Sequence, residues 1–188
     1  LLLSFPVLAL NFGVENIITG SSESRRSLLD WGSFHVEHSY LDLYKNFNKA
    51  LKQRNSTLKR KDTDNLDYWD ELYVQYGEEI HNKRLEYFNL LNDHFIRYKT
   101  KILEMIPDVY DDIKDSILTY DQGWDKSMSL HDSLSSHKQK DLVLKHTSAG
   151  PHRCDIQFTS SGKTLKDVSS MSTQVINGLL LVLSQAKA

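Results

Sequence analysis

The feature that most constrains the fold is a long run of apolar and aromatic residues at helical spacing in the middle of the chain. The run begins at Trp69 and continues to Ile102, shortly before Pro107. Steps of three and four residues place these side chains on one face of a helix of about 40 residues. Gly77 is where we expect any bend, because glycine weakens a helix interior. The members of this stripe are Trp69, Leu72, Tyr73, Tyr76, Ile80, Leu85, Tyr87, Phe88, Leu91, Phe95 and Ile102.

A second helical stripe precedes the first and is its expected packing partner. Tyr40, Tyr44, Phe47 and Leu51 fall on one face of a helix, and the polar sequence KDTDN at 61–65 separates the two runs. Two long amphipathic helices joined by a short polar loop bury their stripes by packing antiparallel. The sequence therefore predicts a helical arm or lid.

A basic cluster ends the first of these helices. Between Lys49 and Lys61 there are six lysines or arginines and no acidic residue. The whole chain has a formal net charge of −2, so any contact with a polyanion has to come from a local patch. The residues alone leave two interpretations open, a solvated helix face and a surface that contacts nucleic-acid phosphates.

An arginine pair lies near the start of an earlier helix. Ser21 and Ser22 are suitable N-caps, which places Arg25 and Arg26 in the first turns. Surface salt bridges are the alternative to a functional role for this pair.

Composition limits the class of protein. With 188 residues, 39% hydrophobic and 26% charged, the chain is typical of a soluble globular protein. Its single cysteine, Cys154, suits a reducing compartment, so we expect a cytoplasmic protein without a structural zinc site. The apolar run at 1–10 lacks the basic residues of a signal peptide and the length of a membrane span. We interpret it as a buried strand, and both ends of the chain as continuing into a larger protein.

Shorter elements are predicted after Pro107. We expect a strand near 116–120, a polar helix over 128–140 and a short strand over 142–146. His131 and His137 in that helix are interpreted as surface residues, with no metal site.

A glycine–proline turn follows these elements. Gly150 and Pro151 precede an alternating strand at 154–159, and the turn presents His152 and Arg153 at a strand edge.

Two stretches resemble one protein family. RRSLLDWGSFH, followed by Tyr44 and LKQRNSTLKR, and later AGPHRCDIQF at 149–158, are similar to segments of the RecF family of bacterial recombination-repair proteins. The resemblance implies a mixed α/β fold, part of an ABC-type ATPase head with an inserted lid or arm of two long antiparallel helices. Residues 1–30 would be a remnant of the head and 31–146 the helical arm with a small strand region. Residues 147–188 would return to the head and include a degenerate signature helix.

The resemblance also implies a function in DNA replication and repair. RecF-like proteins bind DNA and ATP, dimerise around ATP, and act with RecO and RecR to place RecA on gapped DNA in the SOS response. The residues expected to contact DNA phosphates are Arg25, Arg26, Lys49, Lys52, Arg54, Lys59 and Arg60.

A degenerate nucleotide signature is expected near residue 170. The family has a Ser-x-Gly-Gln-type sequence that opens a helix toward the γ-phosphate held by the opposite subunit. Ser170, Ser172 and Gln174 align with it, although Ser172 replaces the glycine and Val175 stands where a basic residue is expected. The following helix, over 173–184, is predicted to bury Leu179, Leu180 and Leu183 on one face. His152 and Arg153 are the other site residues that the resemblance implies.

The rest of an ATP site is absent from the sequence. No GxxxxGK[ST] loop occurs, and no apolar strand ends in Asp-Glu to hold Mg²⁺. ATP and Mg²⁺ are therefore implied only for a full-length relative, and we expect this chain alone not to hydrolyse ATP. We assign it no catalytic residues. The alternative function is a non-enzymatic helical module that binds a protein partner through its aromatic stripe.

Overall fold

The computed structural model describes residues 16–62, 64–106 and 111–188. The strand expected at 1–10 lies outside them. Ile17 and Ile18 belong to a helical turn, α1 (Asn16–Thr19). That turn is closed by a 2.8 Å hydrogen bond from the Gly20 amide to the Asn16 carbonyl.

The first longer helix is α2 (Ser22–Val36). The Ser24 amide donates to Ser21 Oγ at 3.4 Å, so Ser21, one of the two serines expected as N-caps, caps this helix. Gly32 on its inner face packs against Tyr87, where an added Cβ would overlap the phenol ring. The glycine therefore permits close approach of α2 to the long helix.

The predicted arm consists of α3 (Tyr40–Arg60) and α4 (Leu66–Met105). Contacts between the two helices pair their residues in opposite sequence order: Arg54 contacts Asp70, Phe47 contacts Tyr73, and Tyr40 contacts Arg84. The two helices are therefore antiparallel. The buried face of α3 is rotated slightly from the predicted one. Its members are Tyr40, Leu43, Phe47, Ala50, Arg54, Thr57 and Leu58.

Helix α4 is continuous through Gly77 for its 40 residues. A Cβ at Gly77 would lie 2.7 Å from Leu130 Cδ2, so the position serves close packing rather than ending the helix. Helix α3 ends at Lys61, whose φ of 56° is left-handed.

The second half adds a three-stranded sheet and further helices. After α5 (Asp111–Lys114), strand β1 (Ser116–Asp121) confirms the expected strand. The sheet has the order β1-β2-β3, with β2 (Asp155–Ser160) antiparallel to β3 (Lys163–Thr164) and Thr159 opposite Thr164. Two more helices, α7 (Leu165–Val168) and α8 (Met171–Gln185), complete the chain.

The polar helix α6 spans Leu130–Leu144 and corrects one prediction. The strand expected at 142–146 does not form, since residues 142–144 complete α6 and Lys145 has a left-handed φ of 58°. Ser129 caps the helix by accepting from the Asp132 amide at 3.0 Å. Asp141 is buried and lies seven residues, about two helical turns, after buried Leu134. Buried positions therefore continue at helical spacing beyond residue 140, the predicted end of the helix.

The chain divides into two compact units. One contains the described residues up to 36, with 85–120 and 156–188, and the other contains 37–84 and 121–155. Aromatic pairs such as Phe95–Phe158, 6.4 Å between ring centroids, lie in the core of the first. Phe47 and Tyr73, 5.4 Å apart, lie in the core of the second. Of the helices among the described residues, none has the length and apolar character needed to cross a membrane.

Candidate nucleic-acid-binding surface

Helix α3 has a basic face and a buried face on opposite sides. Lys49, Lys52 and Lys59 are exposed and follow one another at steps of three and seven residues, which keeps them on one side of the helix. They extend over about 15 Å of helix length. Lys45 continues this side, with its ammonium 3.1 Å from Asp42 Oδ1. We call Lys45, Lys49, Lys52 and Lys59 the lysine face. Arg60 is also exposed and donates to Ser56 Oγ at 3.0 Å.

Arg54 does not lie on this surface, contrary to its expected contact with DNA. It comes two residues after Lys52, about 200° around the helix, and its side chain is fully buried. Its Nε donates to Asp70 Oδ1 at 2.7 Å, and its Nη1 donates to Asp141 Oδ2 and Thr147 Oγ1, both at 2.8 Å. A buried guanidinium paired with two carboxylates cannot reach a DNA phosphate without unfolding this core.

The partners of Arg54 are themselves held by a wider network. Asp141 Oδ1 accepts from the Ser148 amide at 3.0 Å and from Ser148 Oγ at 2.6 Å. Burial raises the pKa of Asp70, while the positive charge of Arg54 acts in the opposite direction. The network joins α3, α4, α6 and the loop that follows α6.

The arginine pair of α2 lies in the other compact unit. Arg25 Nη1 donates to the carbonyls of Ile17 at 3.2 Å and Gly20 at 2.8 Å. It thereby caps the last carbonyls of α1, a structural role. Arg26 is half-buried. The structure thus does not bring the pair together with the lysine face in one unit.

The predicted glycine–proline turn is a 3₁₀ turn, Pro151–Arg153, that packs against α4. Gly150 has a φ of 131°, and a Cβ there would overlap the Tyr73 hydroxyl. His152 is half-buried, with Nδ1 2.9 Å from that hydroxyl and Nε2 3.0 Å from the Thr147 carbonyl oxygen. Both ring nitrogens therefore have partners within the protein. Arg153 is exposed.

The predicted nucleotide signature lies at the start of α8. Ser170 Oγ accepts from the Thr173 amide at 3.2 Å, and Ser172 is exposed. Gln174 is turned inward, with Nε2 3.3 Å from the Ser169 carbonyl and 3.4 Å from that of Lys166. The first amides of a helix have no intrahelical acceptors and favour anions, and Ser170 already caps one of them, that of Thr173.

The apolar face predicted for α8 is partly wrong. Leu180 and Leu181 are fully buried, whereas Leu179 is 38% exposed and Leu183 is 46% exposed. The helix turns its serine, asparagine and glycine positions inward as well, so its buried side cannot be read from leucine spacing alone. Within the described part of the chain, no three histidine, cysteine or acidic residues are grouped to hold a metal ion.

Several residues of this region were not found from the sequence. Asp141 pairs with the buried arginine, and Thr147 connects that arginine to Asn55 on α3. The signal for Arg54 was present, because it follows Phe47 by seven residues and Ala50 by four on the buried face. The partners in α6 and its loop are 87 and 93 residues away, and no local pattern indicates them.

Comparison with curated proteins finds relatives that match most of this chain. A DNA replication and repair protein RecF of Pseudoalteromonas translucida (strain TAC 125) is 33% identical over 158 residues, 82% of this chain. One from Xanthomonas axonopodis pv. citri (strain 306) is 32% identical over 186 residues, 98% of the chain, and one from Hahella chejuensis is 34% identical over 185 residues, or 97%. The chain is a RecF homologue. It spans about half the length of these RecF relatives, 42%, 49% and 48% respectively.

Solved structures show the same fold as this RecF homologue. The recombination mediator protein RecF-ATP in the RecFOR pathway matches 95% of the chain with a TM-score of 0.77 and 24% identity. RecF-ATPrS matches with a TM-score of 0.79. The chain covers 49% of each of these structures. No protein-family model matches the chain.

Proposed function

We propose that the chain is the arm-bearing part of a RecF-like DNA replication and repair protein, and that the lysine face of α3 contacts the phosphates of DNA. The observation that carries the proposal is the division of α3 into an outer side of exposed lysines and an inner side anchored by buried Arg54. The anchor fixes which side of the helix faces solvent. The relatives, all DNA replication and repair proteins by name, supply the class of ligand.

The contacts proposed for DNA are to the backbone. Lys49, Lys52 and Lys59 are flexible point charges that suit phosphate oxygens rather than base edges. Arg60 extends the surface toward the tip of the arm. Binding of this kind releases counterions and is therefore steeply dependent on salt.

ATP and Mg²⁺ belong to the proposal for the whole protein. The sequence has neither a phosphate-binding loop nor an Asp-Glu strand. The residues proposed to meet a phosphate are Ser170 and Ser172, which are both exposed at the start of α8. Gln174 is a supporting residue there because its amide is bonded to the preceding loop. Bound ATP would supply the phosphate anion that this helix end receives from a second subunit.

The partners proposed for the whole protein follow from the family. They are single-stranded or gapped DNA, RecO- and RecR-type proteins, a second RecF-like subunit joined through ATP, and RecA as the protein to be loaded. Arg153 is exposed and stays a proposed site residue, whereas His152 has both nitrogens engaged.

The alternative, a protein-interaction module acting through its aromatic stripe, has less support. Tyr73, Tyr87, Phe88 and Phe95 of that stripe are buried. They lie in the cores of the two compact units, Tyr73 in one and the other three in the other, and are not available to a partner.

The test of the DNA proposal is a charge-matched pair of triple variants. Lys49, Lys52 and Lys59 are all changed to Gln in one, and exposed Lys163, Lys166 and Lys187 are changed to Gln in the control. Binding to a labelled oligonucleotide is measured by fluorescence anisotropy over a series of salt concentrations. We expect the slope of log K against log salt to become shallower by about 0.7 to 0.9 for each arm lysine removed, with little change in the control. Equal loss in both variants, or a flat slope in the parent chain, would refute the proposal.

A further inference from the structure

A groove beside the lysine face carries an amide whose orientation is fixed from inside the protein. The groove has a volume of about 510 Å³ and is lined only by residues of α3: Asn48, Leu51, Lys52, Asn55, Ser56 and Lys59. We propose that Asn55 is an anion-contacting residue of this groove, held as a hydrogen-bond donor by the loop after α6. This inference rests on the proposed DNA contact of α3 and names a residue that lysine spacing does not indicate.

The orientation of the Asn55 amide follows from its partners. Its Oδ1 lies 2.7 Å from the backbone nitrogen of Thr147 and 2.8 Å from Thr147 Oγ1. A backbone N–H can only donate, so the Asn55 atom facing it has to be the carbonyl oxygen. The Nδ2 group therefore points away from the loop. Among the described residues, all side-chain hydrogen bonds of Asn55 use Oδ1, which leaves the two N–H donors for a partner in the groove.

The buried arginine holds this arrangement in place. Thr147 Oγ1 accepts from Arg54 Nη1 at 2.8 Å, so its hydroxyl hydrogen is directed to Asn55 Oδ1. Thr147 is itself 2% exposed. A donor fixed before binding loses less side-chain freedom when it meets a ligand than a free asparagine would.

The chemistry of the groove suits a phosphate oxygen. Lys52 and Lys59 supply positive charge, Asn55 supplies a neutral donor between them, and Ser56 adds a hydroxyl. Hydrogen bonds from oriented neutral donors to an anion are charge-assisted and stronger than neutral pairs. The ligand class is therefore a phosphodiester of DNA that lies along α3.

Asn55→Asp is the decisive variant, with Asn48→Asp as its matched control. In Asn55→Asp one carboxylate oxygen still accepts from Thr147, and the other replaces the donor in the groove. Asn48 lines the same groove, but its Nδ2 donates to the Tyr44 carbonyl at 2.9 Å. Both variants add one negative charge to the lining of the same groove. We expect Asn55→Asp to bind a labelled mixed-sequence oligonucleotide about tenfold or more weakly than Asn48→Asp, with thermal unfolding of both variants close to that of the parent chain.

A second measurement reports the contact directly. The side-chain amide of Asn55 can be assigned in a ¹⁵N-correlated NMR spectrum by its disappearance in Asn55→Asp. We expect its signals to shift on titration with the oligonucleotide, while those of Asn48 stay nearly unchanged.

The outcomes separate this inference from the proposed function. If the arm lysine variant loses affinity but the two aspartate variants bind equally and the Asn55 amide does not shift, the inference about Asn55 is wrong and the DNA surface stands. If the arm lysine variant binds as tightly as its control, the DNA surface itself is wrong.

Discussion

Arg54 and Lys52 are two residues apart in α3, but the side chain of Arg54 is buried and that of Lys52 is exposed. Lys52 extends into solvent, and Arg54 is enclosed by Asp70, Asp141 and Thr147. A run of six basic residues in sequence is therefore not one basic surface. Only the residues on the outer side of α3 can meet a polyanion.

Removing the buried guanidinium should lower the free energy of unfolding. Arg54→Met leaves Asp141, which is fully buried, without its charged partner. Breaking a buried pair in this way typically destabilises a protein by about 3–5 kcal/mol. Urea unfolding measures the change, and Lys52→Met serves as the control, with an expected change within about 0.5 kcal/mol. A small stability loss in Arg54→Met together with lost DNA affinity would return Arg54 to the binding surface.

His81 should make the protein less stable in mild acid. It is half-buried and its ring lies 4.9 Å from that of Trp124. Burial, and then the charge of Arg84, lowers its pKa below the ordinary value of 6.5. The unfolded chain therefore binds a proton at a higher pH than the folded chain does, so stability falls as the pH drops through the window below 6.5. Urea unfolding at a series of pH values should show a weaker acid dependence in His81→Gln, and identical profiles would contradict the prediction.

For single helices, the spacing of apolar residues predicted where a helix lies more reliably than which of its sides is buried. The antiparallel α3 and α4 were predicted from their stripes, because long helices repeat the same signal many times. The end of α6 and the buried side of α8 were missed. Polar residues such as Asp141 and Asn177 are buried there with hydrogen bonds, and burial of polar groups leaves no apolar pattern to follow.

The packing of α2 against α4 provides a test at this scale. Gly32→Ala should destabilise the protein by about 1–3 kcal/mol, because the new methyl group would overlap the Tyr87 ring. Helix propensity alone predicts the opposite sign, since alanine is favoured over glycine by about 1 kcal/mol. Thermal or urea unfolding decides between them. In a double-mutant cycle the cost of Gly32→Ala should shrink in a Tyr87→Ala background, and an undiminished cost would show that the contact is not its cause.

For the molecule as a whole, the sequence led to the RecF relationship and the mixed fold. The head and arm boundaries expected at 30 and 146 stay predictions, and contacts separately group residues 37–84 with 121–155. Helix α4 contributes to both units, so a cut along the chain cannot separate them. Residues that are neighbours within one unit are often far apart in the sequence, and local sequence patterns do not indicate such contacts.

The wide sequence separation in the Arg54 network has a consequence for how the arm is made. The three partners of Arg54 lie 16, 87 and 93 residues further along the chain. Closing such long loops is slow because their entropy is lost before any contact forms. During synthesis the α3–α4 hairpin can already pair Arg54 with Asp70, whereas Asp141 and Thr147 become available only after α6 and the loop that follows it have left the ribosome. The anchor that fixes which side of α3 faces solvent is therefore complete only when this later segment has been made.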